Sequence, residues 1–336
     1  MKAIFYKTTH TKVPGLVQNF HVGLELGYAY ETPTHYVHFY GTNRNFFSIH
    51  TGQTIIENKE TSSYSDLLSW VTHYFGAQNI QQMETEIGEV IEGVWRPELY
   101  YYADTNIALN TTEAERRLSE QAIRVLLEKL DDIFLYVEPD STSISTYSHK
   151  IRELLMLACT EVEGFWVYYM KLSGTKPIGK NYTTKDYIKL KEVLFLSEYQ
   201  FTLRSYSTIS PLQPFKIWDS ASPTSSLTWY DAYNKTKHDR IHHFKEATFF
   251  NALNAVVASI ILYISRFSPY PLLEEKGTLN SLVNQHFEIE LINADVKKSY
   301  IPQIEIPTTY RKDIFIYNSR RNGDIKPYLT KSLIIK

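Results

Sequence analysis

The stretch that decides the fold is AVVASIILYI, Ala255–Ile264, the most apolar run of the chain. Its ten residues are far fewer than the roughly 20 that a helix needs to cross a bilayer. We therefore predict a buried helix within a helical domain and no membrane span.

A helix start upstream of this run is marked by a capping pattern. Thr111 or Thr112 can act as the N-cap, and Glu115 stands three residues after Thr112, where a capping box places its acidic partner. The helix that begins here is predicted to end at about Tyr136.

Two further helical stretches complete the predicted helical domain. Apolar residues at helical spacing indicate one helix over about 145–172, and helical character resumes over about 229–266 with a break expected near His242. The segment between them, 174–227, is rich in Pro, Ser and Thr, with one short helical candidate at 184–196. A loop of this length within a compact domain is usually functional.

The regions on either side of the helical domain show extended patterns. Strands are predicted from aromatic and β-branched runs; they are Ala3–Tyr6, Gly23–Tyr30, His35–Tyr40, Val94–Tyr102, His286–Ile292, Ile301–Ile306 and Ile314–Tyr317. One amphipathic helix is predicted over about 62–75. The chain is thus predicted to be an α+β protein with a β-rich domain over 1–110, a helical domain over 111–268 and a basic β-containing lobe over 269–336.

The charge is balanced overall but not locally. The 336 residues include 35 Lys and Arg and 37 Asp and Glu, which excludes a globally basic nucleic-acid binder. The segment 297–336 nevertheless holds nine cations and three acids, a local net of 9 − 3 = +6. This segment is either an anion-facing patch, with RNA as the obvious ligand, or a solvated lobe that balances acidic stretches such as 84–98.

The cysteine content and the N-terminus indicate the compartment. Cys159 is the single cysteine, so no disulfide can form within the chain, as is usual in a reducing compartment. The first 20 residues lack the apolar stretch of a signal peptide. We therefore expect a cytoplasmic protein.

Common catalytic and cofactor motifs are missing from the sequence. It contains no phosphate-binding loop, no Gly-x-Gly-x-x-Gly, no His-Glu-x-x-His, no Cys-x-x-Cys and no Gly-x-Ser-x-Gly. His238 and His242 stand four residues apart, but nothing specifies a third zinc ligand. We predict no cofactor and no metal.

One dense group of polar and aromatic side chains lies in the run WYDAYNKTKHDR, 229–240. On a helix, steps of three and four place five of its members on one face; they are Tyr230, Tyr233, Asn234, Lys237 and His238. A cation, an imidazole and positioning amide or phenol groups suit a phosphodiester. The same face could instead hydrogen-bond across a helix interface as a structural network.

The helix over 145–172 offers polar partners for this group. Glu161 lies in its apolar stripe, where a carboxylate needs a cation, and Lys237, His238 and Arg240 are the best candidates. Arg152, Cys159 and Glu163 share a neighbouring face, so a polar seam between the two helices is expected.

Three segments carry a resemblance to a known family: 149–163, 182–187 and the YNxxKHxR pattern within 229–240. They resemble a group of uncharacterised bacterial proteins, and the helical part, about 145–265, resembles the HEPN superfamily. That resemblance implies a helical bundle, often dimeric. Many HEPN domains are metal-independent ribonucleases of toxin–antitoxin and phage-defence systems.

The usual HEPN motif is an arginine, a polar residue, then three or four residues and a histidine. Asn234 and His238 match the polar residue and the histidine, whereas Tyr233 stands in place of the arginine. Lys237 and Arg240 lie where they could supply the missing charge. The resemblance therefore implies His238 as general acid or base, Lys237 and Arg240 as phosphate ligands and Asn234 as the orienting residue.

Two functional hypotheses follow from the sequence. The first is an RNA-binding protein or metal-independent endoribonuclease of a bacterial defence or toxin system. The second is a non-catalytic binding or scaffolding module whose YNxxKHxR face is a structural polar network or a homodimer interface.

Overall fold

The structure is a computed structural model that describes residues 2–42, 46, 48–49, 53–99, 102–274, 277–306, 314–317 and 325–336. The chain forms two compact units. The sheet unit contains residues 1–90, 96–108 and 295–331, and the helical unit contains residues 91–95, 109–294 and 332–336. The α+β class predicted from the sequence is confirmed.

The sheet unit is built on seven strands: β1 Lys2–Lys7, β2 Leu26–Glu31, β3 His35–Thr42, β4 Ser48–Ile49, β5 Thr54–Asn58, β6 Gln78–Glu86 and β10 Ile314–Tyr317. They form an antiparallel sheet in the order β10-β5-β3-β2-β1-β6, with β4 paired to β3. Helices α1 Leu67–Phe75 and α2 Tyr102–Ala108 belong to the same unit, and β7 Glu89–Ile91 pairs with β11 Leu329–Lys331. Asp66 caps α1 by accepting a hydrogen bond from the backbone N–H of Ser69.

Both faces of the sheet are buried along β2, β3 and β5. Successive side chains of a strand point to opposite faces, so each face needs its own cover. One face packs on α1 through Trp70, Val71 and Phe75. The other face packs on Ile301 and Ile304. The aromatic residues of the strands therefore fill two cores.

The helical unit is formed mainly by long helices that begin at polar caps. Its helices are α3 Glu113–Phe134, α4 His149–Leu172, α5 Thr184–Tyr187, α6 Leu190–Val193, α7 Thr228–His238, α8 Arg240–His243, α9 Phe249–Phe267, α10 Tyr270–Leu273 and α11 Thr278–His286. Thr112 and Glu115 form the predicted capping box at the start of α3. Strands β8 Tyr199–Leu203 and β9 Phe287–Leu291 pair with each other.

Helix α9 is the core of the helical unit. It is long and apolar enough to cross a membrane by length and composition alone, yet 89% of its most apolar window is buried inside the protein. The predicted burial of Ala255–Ile264 is confirmed, because every residue of that run is fully buried.

Several predicted elements differ from those observed. The strand expected over Val94–Tyr102 is wrong where the structure describes it, because residues 94–99 are irregular and α2 begins at Tyr102. The strand expected over Ile301–Ile306 is reduced to a bridge between Ile304 and Ile325. The backbone N–H of Ile304 donates instead to the hydroxyl of Tyr30, so this segment buries its apolar residues without a ladder.

The separate C-terminal lobe predicted over 269–336 is not a compact unit of its own. Residues 269–294 belong to the helical unit because α11 packs on α3 and β9 pairs with β8. Residues 295–331 belong to the sheet unit, where β10 adds to β5.

Burial of His38 predicts acid sensitivity of the sheet unit. Its ring is fully buried and stacks on Phe75 at 3.6 Å, Nδ1 lies 2.6 Å from the Tyr6 hydroxyl, and Nε2 has no partner among the described residues. Desolvation holds the pKa of His38 well below its usual 6.5. In the unfolded chain the His38 imidazole binds a proton as pH falls through about 6.5, whereas in the folded chain it does not. The free energy of unfolding therefore falls below pH 6.5 by about 1.4 kcal/mol per pH unit.

Urea denaturation between pH 8 and pH 5 measures this loss. His38→Phe should make the dependence of the unfolding free energy on pH shallower by that amount. The matched variant is His73→Gln, which removes an exposed histidine from α1 and should leave the wild-type slope unchanged. Equal slopes in wild type and His38→Phe would contradict the assignment.

Candidate functional site

The candidate site is built on α7 and the side of α4 that faces it. One face of α7 packs into the helical unit through the buried side chains of Trp229, Tyr230 and Tyr233. The helix ends at His238, and the side chain of Asp239 then caps α8 by accepting from the backbone N–H of His242. The predicted break in the helical stretch therefore lies at Asp239, three residues before His242.

A carboxylate on α4 binds two phenols of α7. The Tyr230 hydroxyl donates to Glu163 Oε1 at 2.7 Å, and the Tyr233 hydroxyl lies 3.3 Å from Oε2. Lys237 Nζ donates to the Tyr233 hydroxyl at 2.8 Å, and its ammonium lies 4.8 Å from the centre of that ring. The four side chains form one continuous network, which we call the Glu163 network.

Burial and charge set the protonation states within this network. Desolvation, followed by the hydrogen bond to Glu163, raises the pKa of Tyr230, and desolvation also raises that of Tyr233. The hydrogen bond to Tyr233 raises the pKa of Lys237. Burial likewise raises the pKa of the Cys159 thiol. Both phenols and the thiol are therefore neutral at pH 7, and the lysine is a cation.

Aromatic rings from the long irregular segment pack over the network. Trp166 of α4 stacks on Trp218 at 5.2 Å and contacts Tyr187 and Tyr230, each at 5.0 Å. The indole N–H of Trp218 donates to the carbonyl of Pro223. Residues 174–227 thus contribute aromatic rings that pack over the contact between α4 and α7. This packing gives the long segment between the two helices a structural role.

Arg152 joins the other end of the seam. Its guanidinium donates to the backbone carbonyl of Thr236 at 3.0 Å, and the Thr236 hydroxyl donates back to Ala232. Arg152 and Cys159 therefore lie on the side of α4 that meets α7, as the sequence predicted.

The position of Glu161 differs from the expectation. It has no hydrogen-bond or ion-pair partner among the residues that the structure describes, and neither Lys237 nor His238 reaches it. Residues two apart on a helix point about 200° apart. Because Glu163 faces α7, Glu161 faces away, and the carboxylate of the seam is Glu163.

The remaining predicted site residues lie at the exposed end of α7. Asn234 is partly buried, whereas His238 and Arg240 are exposed. Neighbouring charges are paired among themselves: Lys235 with Asp231 and Glu246, His242 with Asp239, and His243 with Glu246. The structure thus divides the predicted face into a buried network and an exposed cationic turn, which we define as residues 235–246.

The basic C-terminal segment is partly neutralised within the sheet unit. Lys298 lies 3.6 Å from Asp295, Lys326 lies 3.9 Å from Glu305, and Lys331 lies 3.1 Å from Glu89. The cations at 311, 312, 320 and 321 and the acids at 313 and 324 lie outside the described residues. Where it is described, this segment balances local acids, including one in the stretch 84–98.

Comparisons with known proteins add no family assignment. No protein-family model, no curated protein and no solved structure matches this chain. Across the described residues, no cluster of three or more His, Cys, Asp or Glu side chains has a metal-binding arrangement. The chemistry open to the site therefore depends on the Glu163 network and the cationic turn.

Neutralising Glu163 should destabilise the helical unit. Glu163→Gln replaces an ionic acceptor of two hydroxyl groups with a neutral amide, which should lower the unfolding free energy by about 1–3 kcal/mol. Urea denaturation at pH 7 measures the change. The matched control is Glu153→Gln on the same helix, where an exposed ion pair with Lys129 is worth at most about 1 kcal/mol. Equal losses in the two variants would contradict a structural role for the network.

Proposed function

We propose that the helical unit binds RNA through the cationic turn. The observation that carries this proposal is the state of Lys237, Arg240 and Lys245: all three are exposed, and none pairs with a carboxylate in the part of the chain that the structure describes. Exposed lysine and arginine side chains are the groups that bind the phosphate oxygens of nucleic acids.

The Glu163 network supports this role by positioning one of the cations. Tyr233 holds the ammonium of Lys237, and Glu163 in turn lies against Tyr233. Tyr233 stands where the HEPN pattern has an arginine, so in this chain positive charge is supplied one turn later. Glu163, Tyr230 and Tyr233 act through Lys237, which is the member of the network that faces the ligand.

The choice of RNA rests on the resemblance to the HEPN superfamily, many of whose members act on RNA. The same resemblance supports a place in a bacterial defence or toxin system. A single cysteine, buried and free, is in keeping with the cytoplasmic location that belongs to this proposal.

The salt dependence of binding tests the proposal. With three phosphate contacts, the logarithm of the association constant for a single-stranded RNA should fall with the logarithm of salt concentration with a slope near −2, since each contact contributes about 0.7. Arg240→Ala and Lys245→Ala should each make the slope shallower by about 0.7. Fluorescence anisotropy with an end-labelled RNA measures both.

Lys180→Ala is the matched control for this measurement. Lys180 is an exposed lysine of the same unit outside the cationic turn, so its removal should leave affinity and slope unchanged. If the three substitutions weaken binding alike, or if wild-type protein does not bind RNA at low salt, the proposed surface is wrong.

A second candidate function, RNA cleavage without a metal, is favoured by the placement of His238. Its exposed imidazole follows Lys237 directly at the end of α7 and stands one turn after Asn234. An imidazole can take the proton of a 2′-hydroxyl as that oxygen bonds to phosphorus, and give it to the 5′-oxygen as the P–O5′ bond breaks. The products are a 2′,3′-cyclic phosphate and a 5′-hydroxyl, and a nearby cation stabilises the phosphate charge.

This second function predicts that the wild-type protein cleaves RNA in the presence of EDTA. His238→Ala should reduce the rate of cleavage by at least about 100-fold. Because His238 is exposed, this variant should keep the wild-type melting temperature and RNA affinity. Gel analysis of labelled single-stranded and structured RNAs measures scission. If RNA stays intact at wild-type protein concentrations that bind it, the cleavage function is wrong and the unit is a binding module without nuclease activity.

A further inference from the structure

A cavity of about 510 Å³ lies between the end of α3 and the start of α4. It is lined by six residues: Ile133, Tyr136, Val137, Ser148, His149 and Lys150. Tyr136, His149 and Lys150 are exposed, so the cavity opens to solvent. Cavities of this size, with apolar and aromatic walls and a few polar groups, are typical of sites for small organic groups.

The ring of Tyr136 is available for stacking. This residue is 73% exposed, and no aromatic ring among the described residues packs against it. Lys150 Nζ lies 4.9 Å from the centre of the Tyr136 ring and 2.6 Å from the carboxylate of Asp132. The ion pair thus holds the lysine against the ring, and the ring lies beside the cavity, where a flat aromatic ligand can stack on it.

Ser148 gives the cavity a hydrogen-bonding group. Its hydroxyl oxygen accepts a hydrogen bond from the backbone N–H of Ile151 at the start of α4. The hydroxyl proton is donated to no residue that the structure describes. Because a hydroxyl can accept and donate at the same time, this proton can be donated to a nitrogen or oxygen atom at the edge of a ligand ring.

The cavity borders the cationic turn. The ring of His149 lies 4.7 Å from the ring of Phe244, and the ring of Tyr147 lies 5.6 Å from the same phenyl group. Phe244 belongs to the cationic turn and directly precedes Lys245, one of the cations assigned to phosphate. A ligand that places an aromatic ring in the cavity can therefore place phosphate groups on the neighbouring cations.

We propose that this cavity holds an unpaired base of the RNA strand whose phosphates lie on the cationic turn, a role that depends on the RNA binding proposed for that turn. Proteins recognise single-stranded RNA largely through unstacked bases, which stack on Tyr, Phe, Trp or His side chains. An aliphatic ligand would fill the apolar part of the cavity but would use neither the two rings nor the adjacent cations. Stacking tolerates every base, so we expect binding with only a modest sequence preference.

Substitution of Tyr136 separates base stacking from phosphate binding. Tyr136→Ala should weaken the binding of a labelled single-stranded RNA at least about fivefold, the loss expected for one stacked base. The salt dependence should stay unchanged, because the phenol carries no charge. Tyr136→Phe keeps the ring and should bind as the wild type does. Fluorescence anisotropy measures the dissociation constants, and melting curves check that each variant is folded.

Leu135→Ala is the matched control. Leu135 directly precedes Tyr136, is 77% exposed and does not line the cavity, so its removal should leave RNA affinity unchanged. If wild-type protein binds RNA with the expected salt slope but Tyr136→Ala binds as tightly, the base site is wrong and phosphate binding by the cationic turn stands. If wild-type protein binds no RNA at low salt, the proposed function is wrong and the base site with it.

A paired RNA and a free nucleotide test the identity of the ligand. Tyr136→Ala should change the affinity for a duplex RNA of the same length by less than about twofold, because its bases stay stacked within the helix. Equal losses on duplex and single strand would overturn base binding. Adenosine monophosphate should bind with a dissociation constant above about 1 mM, because it lacks the further phosphate contacts of a strand. Micromolar binding of this nucleotide that Tyr136→Ala abolishes, with RNA affinity unchanged, would assign the cavity to free nucleotides and overturn its role in RNA binding.

Discussion

The close packing of α4 on α9 is the constraint on which the helical unit depends. Ala158 and Ser259 lie at this contact, where the Ser259 hydroxyl donates to the Ala158 carbonyl at 3.0 Å, and small side chains allow such an approach. Because α9 is buried on all sides, it fixes the rotation of α4 about its own axis. That rotation decides which side of α4 is left for α7, and Cys159 and Glu163 lie on that side.

Features determined by local sequence could be predicted. These features are the capping box of Thr112 and Glu115, the apolar run of α9, and a break after α7 that was expected near His242 and lies at Asp239. Each depends on residues within a few positions of one another. The acid of α4 that faces α7 could not be predicted in the same way. Periodicity showed that Glu161 and Glu163 lie on different faces of α4, but which face meets α7 is set by tertiary packing.

Pairing between strands that are far apart in the chain is the second feature that could not be predicted from the sequence. β8 lies in a segment rich in Pro, Ser and Thr, and it pairs with β9 about 90 residues later; neither strand alone indicates its partner. Ile304 illustrates the opposite case, since its apolar neighbours predict a strand. Its backbone N–H donates to a tyrosine hydroxyl of the sheet core, which satisfies the polar group without a ladder.

The pairing of β10 with β5 has a consequence for biosynthesis. β5 ends at Asn58, and among the residues that the structure describes its outer edge pairs with β10, Ile314–Tyr317. Residues 91–95 and 109–294 of the helical unit are translated between these two strands. During most of the synthesis of the chain, β5 therefore lacks the strand that pairs with it. Unpaired edges are templates for association with other chains. The nascent sheet is therefore open to such association along β5 until β10 has been synthesised.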